Sequence, residues 1–154
     1  MVVRSLQQEH QNGTAIVLMS GGIDSMACAH FLLGQAFSVK GLFVDYGQMA
    51  RDREEGAVSN VARALGLPLL RVCFLSECQY GPGEIPGRNG LLTMAALAIS
   101  TTETRVIATG IHRGTTYYDC SPAFAERMDT LLREYTSGTI RYFAPFLWNT
   151  ILGE

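Results

Sequence analysis

The feature that most constrains this chain is TAIVLMSGGIDSMACAHFLL, residues 14–33: a short run of β-formers, a Ser-Gly-Gly turn, then apolar positions at helical spacing. Met26, Ala27, Ala29, His30, Leu32 and Leu33 are read as the inward stripe of that helix. The unit recurs. Residues 39–44 (VKGLFV) predict a second strand, 45–48 a turn, and 49–65 a helix closed by Gly66 and Pro68. Residues 69–75 predict a third strand, 76–90 a Gly- and Pro-rich loop, 91–100 a helix and 105–110 a fourth strand. A loop over 111–121, a helix over 122–137 opened by Pro122, and a strand-like piece at 139–146 complete the pattern. Strands alternating with helices predict an α/β fold: an open, mostly parallel sheet, Rossmann-like, with helices on both faces.

Composition narrows the function. At 154 residues, 47% hydrophobic and 17% charged, the chain is expected to form one domain over 1–154. A formal net charge of −2 supplies no broad basic footprint for nucleic acid. Apolar stretches such as 91–99 fall short of the roughly 20 residues a bilayer requires, and MVVRSLQQEH carries no signal-peptide core, so a cytoplasmic protein without membrane contact is expected. Cys28, Cys73, Cys78 and Cys120 form no C-x-x-C pair, which predicts reduced thiols and no zinc site. Lys40 is the only lysine and stands far from the Gly-Gly turn, which excludes a Walker A loop.

Ligands of open parallel sheets collect where strands end and helices begin, and SGGIDS lies at such an end. Gly21 and Gly22 allow a sharp bend that brings the main-chain N–H groups of Ser20 to Ser25, Ile23 included, towards one anion. Ser20 and Ser25 are read as hydroxyl donors to phosphate oxygens. A carboxylate in such a nest repels phosphate unless a cation bridges the two, so Asp24 implies Mg²⁺. The competing reading is a plain tight turn with Asp24 and Ser25 as helix caps.

SGGIDS matches the S-G-G-x-D-S signature of the PP-loop ATP pyrophosphatases, which cut ATP between the α and β phosphates. With FVDYGQ (43–48), PGRNG (86–90) and YYDCSPAF (117–124), the chain resembles the 7-cyano-7-deazaguanine synthase branch of that family over about residues 14–149. The resemblance implies an adenine nucleotide alpha hydrolase-like fold and a carbon–nitrogen bond-forming ligase of queuosine-precursor synthesis. It implies ATP and Mg²⁺, with 7-carboxy-7-deazaguanine or an analogue and ammonia or another amine as substrates. A homodimer or partner subunit is implied by the same likeness. It stops before the helical segment and four-cysteine zinc cluster that the family carries, and Thr115 or Thr116 stands where an acidic residue is usual.

Each motif also has its own chemistry. Phe43 and Val44 offer main-chain groups to an adenine edge, and Asp45 is placed to meet ribose or base, or else to cap the helix from Met49. Gly110 is counted with the nucleotide contacts. Arg88 offers a planar fork for a carboxylate or phosphate, beside Asn89 as donor and acceptor. Tyr117 or Tyr118 is suited to stacking on the base and Asp119 to its guanidine-like edge, ordinary packing being the alternative. His112 is read as an α-phosphate contact or proton shuttle, or as a loop histidine bonded to backbone, and Cys120 as structural. Asp24, Arg88 and His112 are thus the candidate catalytic set. Three readings stand: activation of a deazaguanine carboxylate for amine attack, a PP-loop enzyme amidating or thiolating another substrate, and a non-catalytic ATP-binding module needing a partner.

Overall fold

The computed structural model describes residues 13–74, 80, 81, 83 and 85–147. Of the loop expected over 76–90, residues 76–79, 82 and 84, Cys78 among them, lie outside the described residues. The chain runs β1 (Thr14–Leu18), α1 (Ile23–Gly34), β2 (Ser38–Asp45), α2 (Arg51–Leu65), β3 (Leu69–Cys73), α3 (Arg88–Ala98), β4 (Thr104–Ala108), α4 (Pro122–Tyr135) and β5 (Arg141–Phe143). Single 3₁₀ turns occupy Tyr118–Cys120 and Pro145–Leu147.

The five strands pair in parallel in the order β3-β2-β1-β4-β5. All of β1 is buried, as a central strand covered on both faces must be. Ala15, Val17, Val39, Val106 and Ala108 face α1 and α2, whereas Ile16, Leu18, Leu42, Val44 and Ile107 face α3 and α4. The strand order reverses between β1 and β4, which opens a crevice at their carboxyl ends.

Local chemistry sets the boundaries. Gly66 takes the left-handed conformation at the end of α2, and Leu67 N–H bonds Ala62 O at 2.8 Å, closing the helix before Pro68. Ser121 caps α4 by accepting the Phe124 N–H at 3.1 Å, with Pro122 in the first turn. In α1 the buried stripe is Ser25, Cys28, Ala29 and Leu32, an i, i+3, i+4, i+7 set. Met26 and His30 sit off that stripe and are exposed, a correction to the sequence expectation. β5 is shorter than expected. The Asp129 carboxylate accepts from Arg141 Nε and Tyr142 N–H, each at 2.9 Å, tying this edge strand to α4. Among the described residues no helix is long and apolar enough to cross a membrane.

The Cys28 thiol is fully buried between α1 and the sheet, and burial pushes its pKa from 9.0 to about 12. Its neutral form is the one the fold stabilises. That contribution is complete below pH 9 and is lost as pH rises towards 12. Urea melts between pH 8 and pH 11 should therefore show falling stability, with Cys28→Ala flattening the slope; an unchanged slope in the variant would contradict the assignment.

Candidate active site

After Leu18 the chain leaves the sheet, and Met19 N–H makes the last bond between β1 and β2, to Leu42 O at 2.8 Å. The loop that follows is held by its own serines. Ser25 Oγ donates to Gly22 O at 2.9 Å and accepts from Ser20 N–H at 3.4 Å, while Ser20 Oγ accepts from Gly22 N–H at 3.4 Å. The Ser25 hydroxyl, expected to serve a phosphate, instead closes the loop and is buried.

The two glycines differ. Gly21 has φ +76°, and a β-carbon there would stand 2.5 Å from Ala57 Cβ and 3.1 Å from Val58 N, so the residue lets the loop press onto α2. Gly22 has an ordinary extended backbone, and an added β-carbon would meet only Ser20 Oγ at 3.4 Å. Among the described residues no closer neighbour requires a glycine there. Among the described residues the N–H groups of Gly21, Ile23, Asp24 and Ser25 have no hydrogen-bond acceptor. Four unpaired amides at a helix start with no side-chain cap suit a polyanion. Ile23 contributes only its amide, since its side chain is exposed and outside the cavity.

β4 delivers the opposite wall. A β-carbon on Gly110 would lie 2.6 Å from Asp24 O and 2.7 Å from Ser25 N, so only glycine lets this strand end abut the first turn of α1. Just beyond, His112 Nε2 stands 3.6 Å from Asp24 Oδ2. Gly114 N–H donates to His112 Nδ1 at 2.9 Å, which places the proton of the neutral ring on Nε2, towards Asp24. Asp24 is half-exposed at the cavity rim, and its hard oxygens suit Mg²⁺, which is commonly held by one or two carboxylates together with phosphate. Among the described residues no group of three metal-ligating side chains forms a closed metal cage.

The two residues expected at the adenine edge, Phe43 and Val44, differ in their pairing. Gly41 N–H bonds Pro68 O and Asp45 O accepts from Phe74 N–H, so the alternation of a parallel strand commits Phe43's peptide groups to β3 as well. The peptide groups of Val44 face the β1 side, beyond the last β1 bond, where its C=O accepts from Gln48 Nε2 at 3.1 Å. Asp45 is not brought into the cavity: Oδ1 accepts from Gly47 N–H at 3.1 Å and Oδ2 pairs with Arg51 Nε at 2.7 Å, so it shapes the turn after β2.

PGRNG also corrects the loop reading, for α3 begins at Arg88. Asp119 Oδ2 accepts the Asn89 N–H at 3.1 Å, and Asn89 Nδ2 donates to Asp119 O at 3.1 Å. Asp119 is therefore a buried helix cap supplied from 30 residues away and does not line the cavity. Tyr118 lies outside too, packed edge-on to Phe124 with Arg127 over its ring, whereas Tyr117, Arg88 and Asn89 line the cavity. Asp119→Ala should cost about 1–2 kcal/mol, read as a lower urea midpoint; an unchanged midpoint would remove the cap.

The cavity, about 330 Å³, gathers Ser20, Asp24, Val44, Arg88, Gly110 and His112. Tyr46, Gln48 and Glu54 line it as well and were missed from the sequence. Gln48 accepts from Tyr46 N–H at 2.9 Å and donates to Val44 O and Glu54 Oε2, both at 3.1 Å. Burial pushes the Tyr46 hydroxyl pKa up, partly offset by Arg88 beside it.

Residues 14–81 match the family model of queuosine biosynthesis protein QueC. The 7-cyano-7-deazaguanine synthase of Marinobacter nauticus is 28% identical over 87% of this chain and 72% of its own length. The chain is similar to the 7-cyano-7-deazaguanine synthases over most of its length. The synthase of Pseudoalteromonas translucida is similarly 27% identical, over 88% of this chain and 73% of its own. In fold, the chain is similar to a predicted subunit of tRNA methyltransferase from Methanocaldococcus jannaschii, with TM-score 0.60 and 19% identity, covering 90% of this chain and 70% of that one. The match to the QueC model spans β1 to β3 and so includes the SGGIDS loop, Val44, Gln48 and Glu54.

Proposed function

We propose that this chain binds ATP and Mg²⁺ and activates a carboxylate on a 7-deazaguanine-type base for attack by ammonia or another amine, releasing pyrophosphate and AMP. The observation that carries the proposal is the lysine-free row of amides after β1, without acceptors among the described residues, next to a cavity lined by Ser20, Asp24 and Ser25. The kinship with synthases of 7-cyano-7-deazaguanine supports the choice of base.

A carboxylate resists amines because oxide is a poor leaving group. In the proposed reaction its oxygen attacks the α-phosphorus, and pyrophosphate departs onto the amides of Gly21, Ile23, Asp24 and Ser25. These donors are fixed before the charge develops, so little reorganisation is needed. Asp24 would hold Mg²⁺, which supplies charge neutralisation at the phosphates. Val44 offers its peptide edge to adenine, and Arg88 orients the substrate carboxylate. The amine then displaces AMP from the acyl carbon. His112, its Nδ1 held by Gly114 N–H, would donate its Nε2 proton in a hydrogen bond to an α-phosphate oxygen, and the proton the amine releases passes to solvent.

The test is pyrophosphate release from ATP with Mg²⁺ and ammonia, with and without 7-carboxy-7-deazaguanine. Release that depends on this acid supports the proposal. Release only with other acids redirects the activity to another substrate, and ATP binding without release under any acid rejects catalysis.

A further inference from the structure

Tyr46, Gln48, Glu54 and Arg88 form a wall shared by two cavities, the nucleotide cavity and a second that opens past Tyr80 and Ile85. The wall holds two opposite charges that do not neutralise each other. Glu54, in the first turn of α2, receives one hydrogen bond from Gln48 at 3.1 Å, and among the described residues no cation lies within ion-pair distance of it. An ionised carboxylate has about four acceptor sites, so Glu54 keeps unused capacity. Arg88, at the start of α3, likewise has no carboxylate within ion-pair distance among the described residues. Both act on the Tyr46 hydroxyl, in opposite senses. Tyr46 and Tyr80 meet edge to face with ring centroids 6.0 Å apart, giving the wall an aromatic border.

Half-buried charges of opposite sign, neither of them in an ion pair among the described residues, suit a planar ligand with an anionic end and an N–H donor edge. The carboxylate expected to read such an edge, Asp119, is spent on capping α3. Resting on the function proposed above, we infer that Glu54 is the specificity-determining residue for the acceptor base. Its carboxylate takes the amino and ring N–H donors of an aminopyrimidinone, while Arg88 holds the substrate's acid group towards the nucleotide.

Equilibrium binding of 7-carboxy-7-deazaguanine and its 2-desamino analogue to the wild type and to Glu54→Gln tests this inference. The wild type should prefer the amino-bearing acid by about tenfold or more. Glu54→Gln, nearly isosteric and still able to bond Gln48, should lose that preference while its ATP affinity stays within about twofold. Retention of the preference in Glu54→Gln, or a loss of ATP affinity as large as the loss for the acid, overturns the assignment, as does a wild type that binds neither acid. If the acids bind with the stated preference but never trigger pyrophosphate release, the proposed reaction fails and the base-reading site stands.

Discussion

Gly21→Ala should lower the melting temperature by roughly 5–15 °C and abolish ATP binding, whereas Gly22→Ala should melt within a few degrees of the wild type yet bind ATP at least about tenfold more weakly. The contrast follows from where a β-carbon would go. At Gly21 it adds the left-handed backbone penalty of about 1–2 kcal/mol to an overpacking cost of about 1–3 kcal/mol. The atoms it meets include the α2 main chain, Val58 N at 3.1 Å and Glu54 O at 3.2 Å, which cannot swing aside. At Gly22 the backbone is ordinary and the new methyl would stand in the space proposed for the phosphates. Differential scanning fluorimetry paired with calorimetric ATP titration reads both. Equal melting temperatures for the two variants would contradict the geometry, and undiminished ATP binding by Gly22→Ala would place the nucleotide elsewhere.

Asp24→Asn should reduce Mg²⁺-dependent pyrophosphate release by at least about a hundredfold with the melting temperature unchanged. Among the described residues the Asp24 carboxylate has one ionisable group within ion-pair distance, His112 at 3.6 Å, and both side chains are about half-exposed. The substitution keeps shape and removes the charge a divalent cation requires. Wild-type rates in the variant would remove Asp24 from the reaction and leave it a helix-start residue only.

The sheet was legible because each strand is a compact apolar run and each turn carries its own glycine or proline, as at Gly66–Pro68. The loop after β1 was legible for the same reason, its serines and glycines being contiguous. What stayed hidden depended on distant partners. Arg88 and Asn89 read as loop because the residue that caps their helix, Asp119, comes from beyond β4. Asp45 read as a ligand contact because its pairing with Arg51 across a turn carries no local signature. Phe43 and Val44 looked equivalent until strand order showed which neighbour each peptide faces. Glu54 was hidden among the charges of RDREE, where only the turn that folds Gln48 back onto it separates it from a solvated face. Helix periodicity would have found the α1 stripe had Ser25 been accepted as an inward residue, since Cys28, Ala29 and Leu32 follow it at the right spacing.

The most direct measurement is an amide ¹H–¹⁵N titration of the protein with ATP and Mg²⁺, repeated with tripolyphosphate. The amide signals of Gly21, Ile23, Asp24 and Ser25 should shift with both ligands, and that of Val44 with ATP alone. Unmoved signals in the 21–25 loop, at concentrations where ATP is shown to bind, would contradict the claim that main-chain amides after β1 grip the phosphate tail.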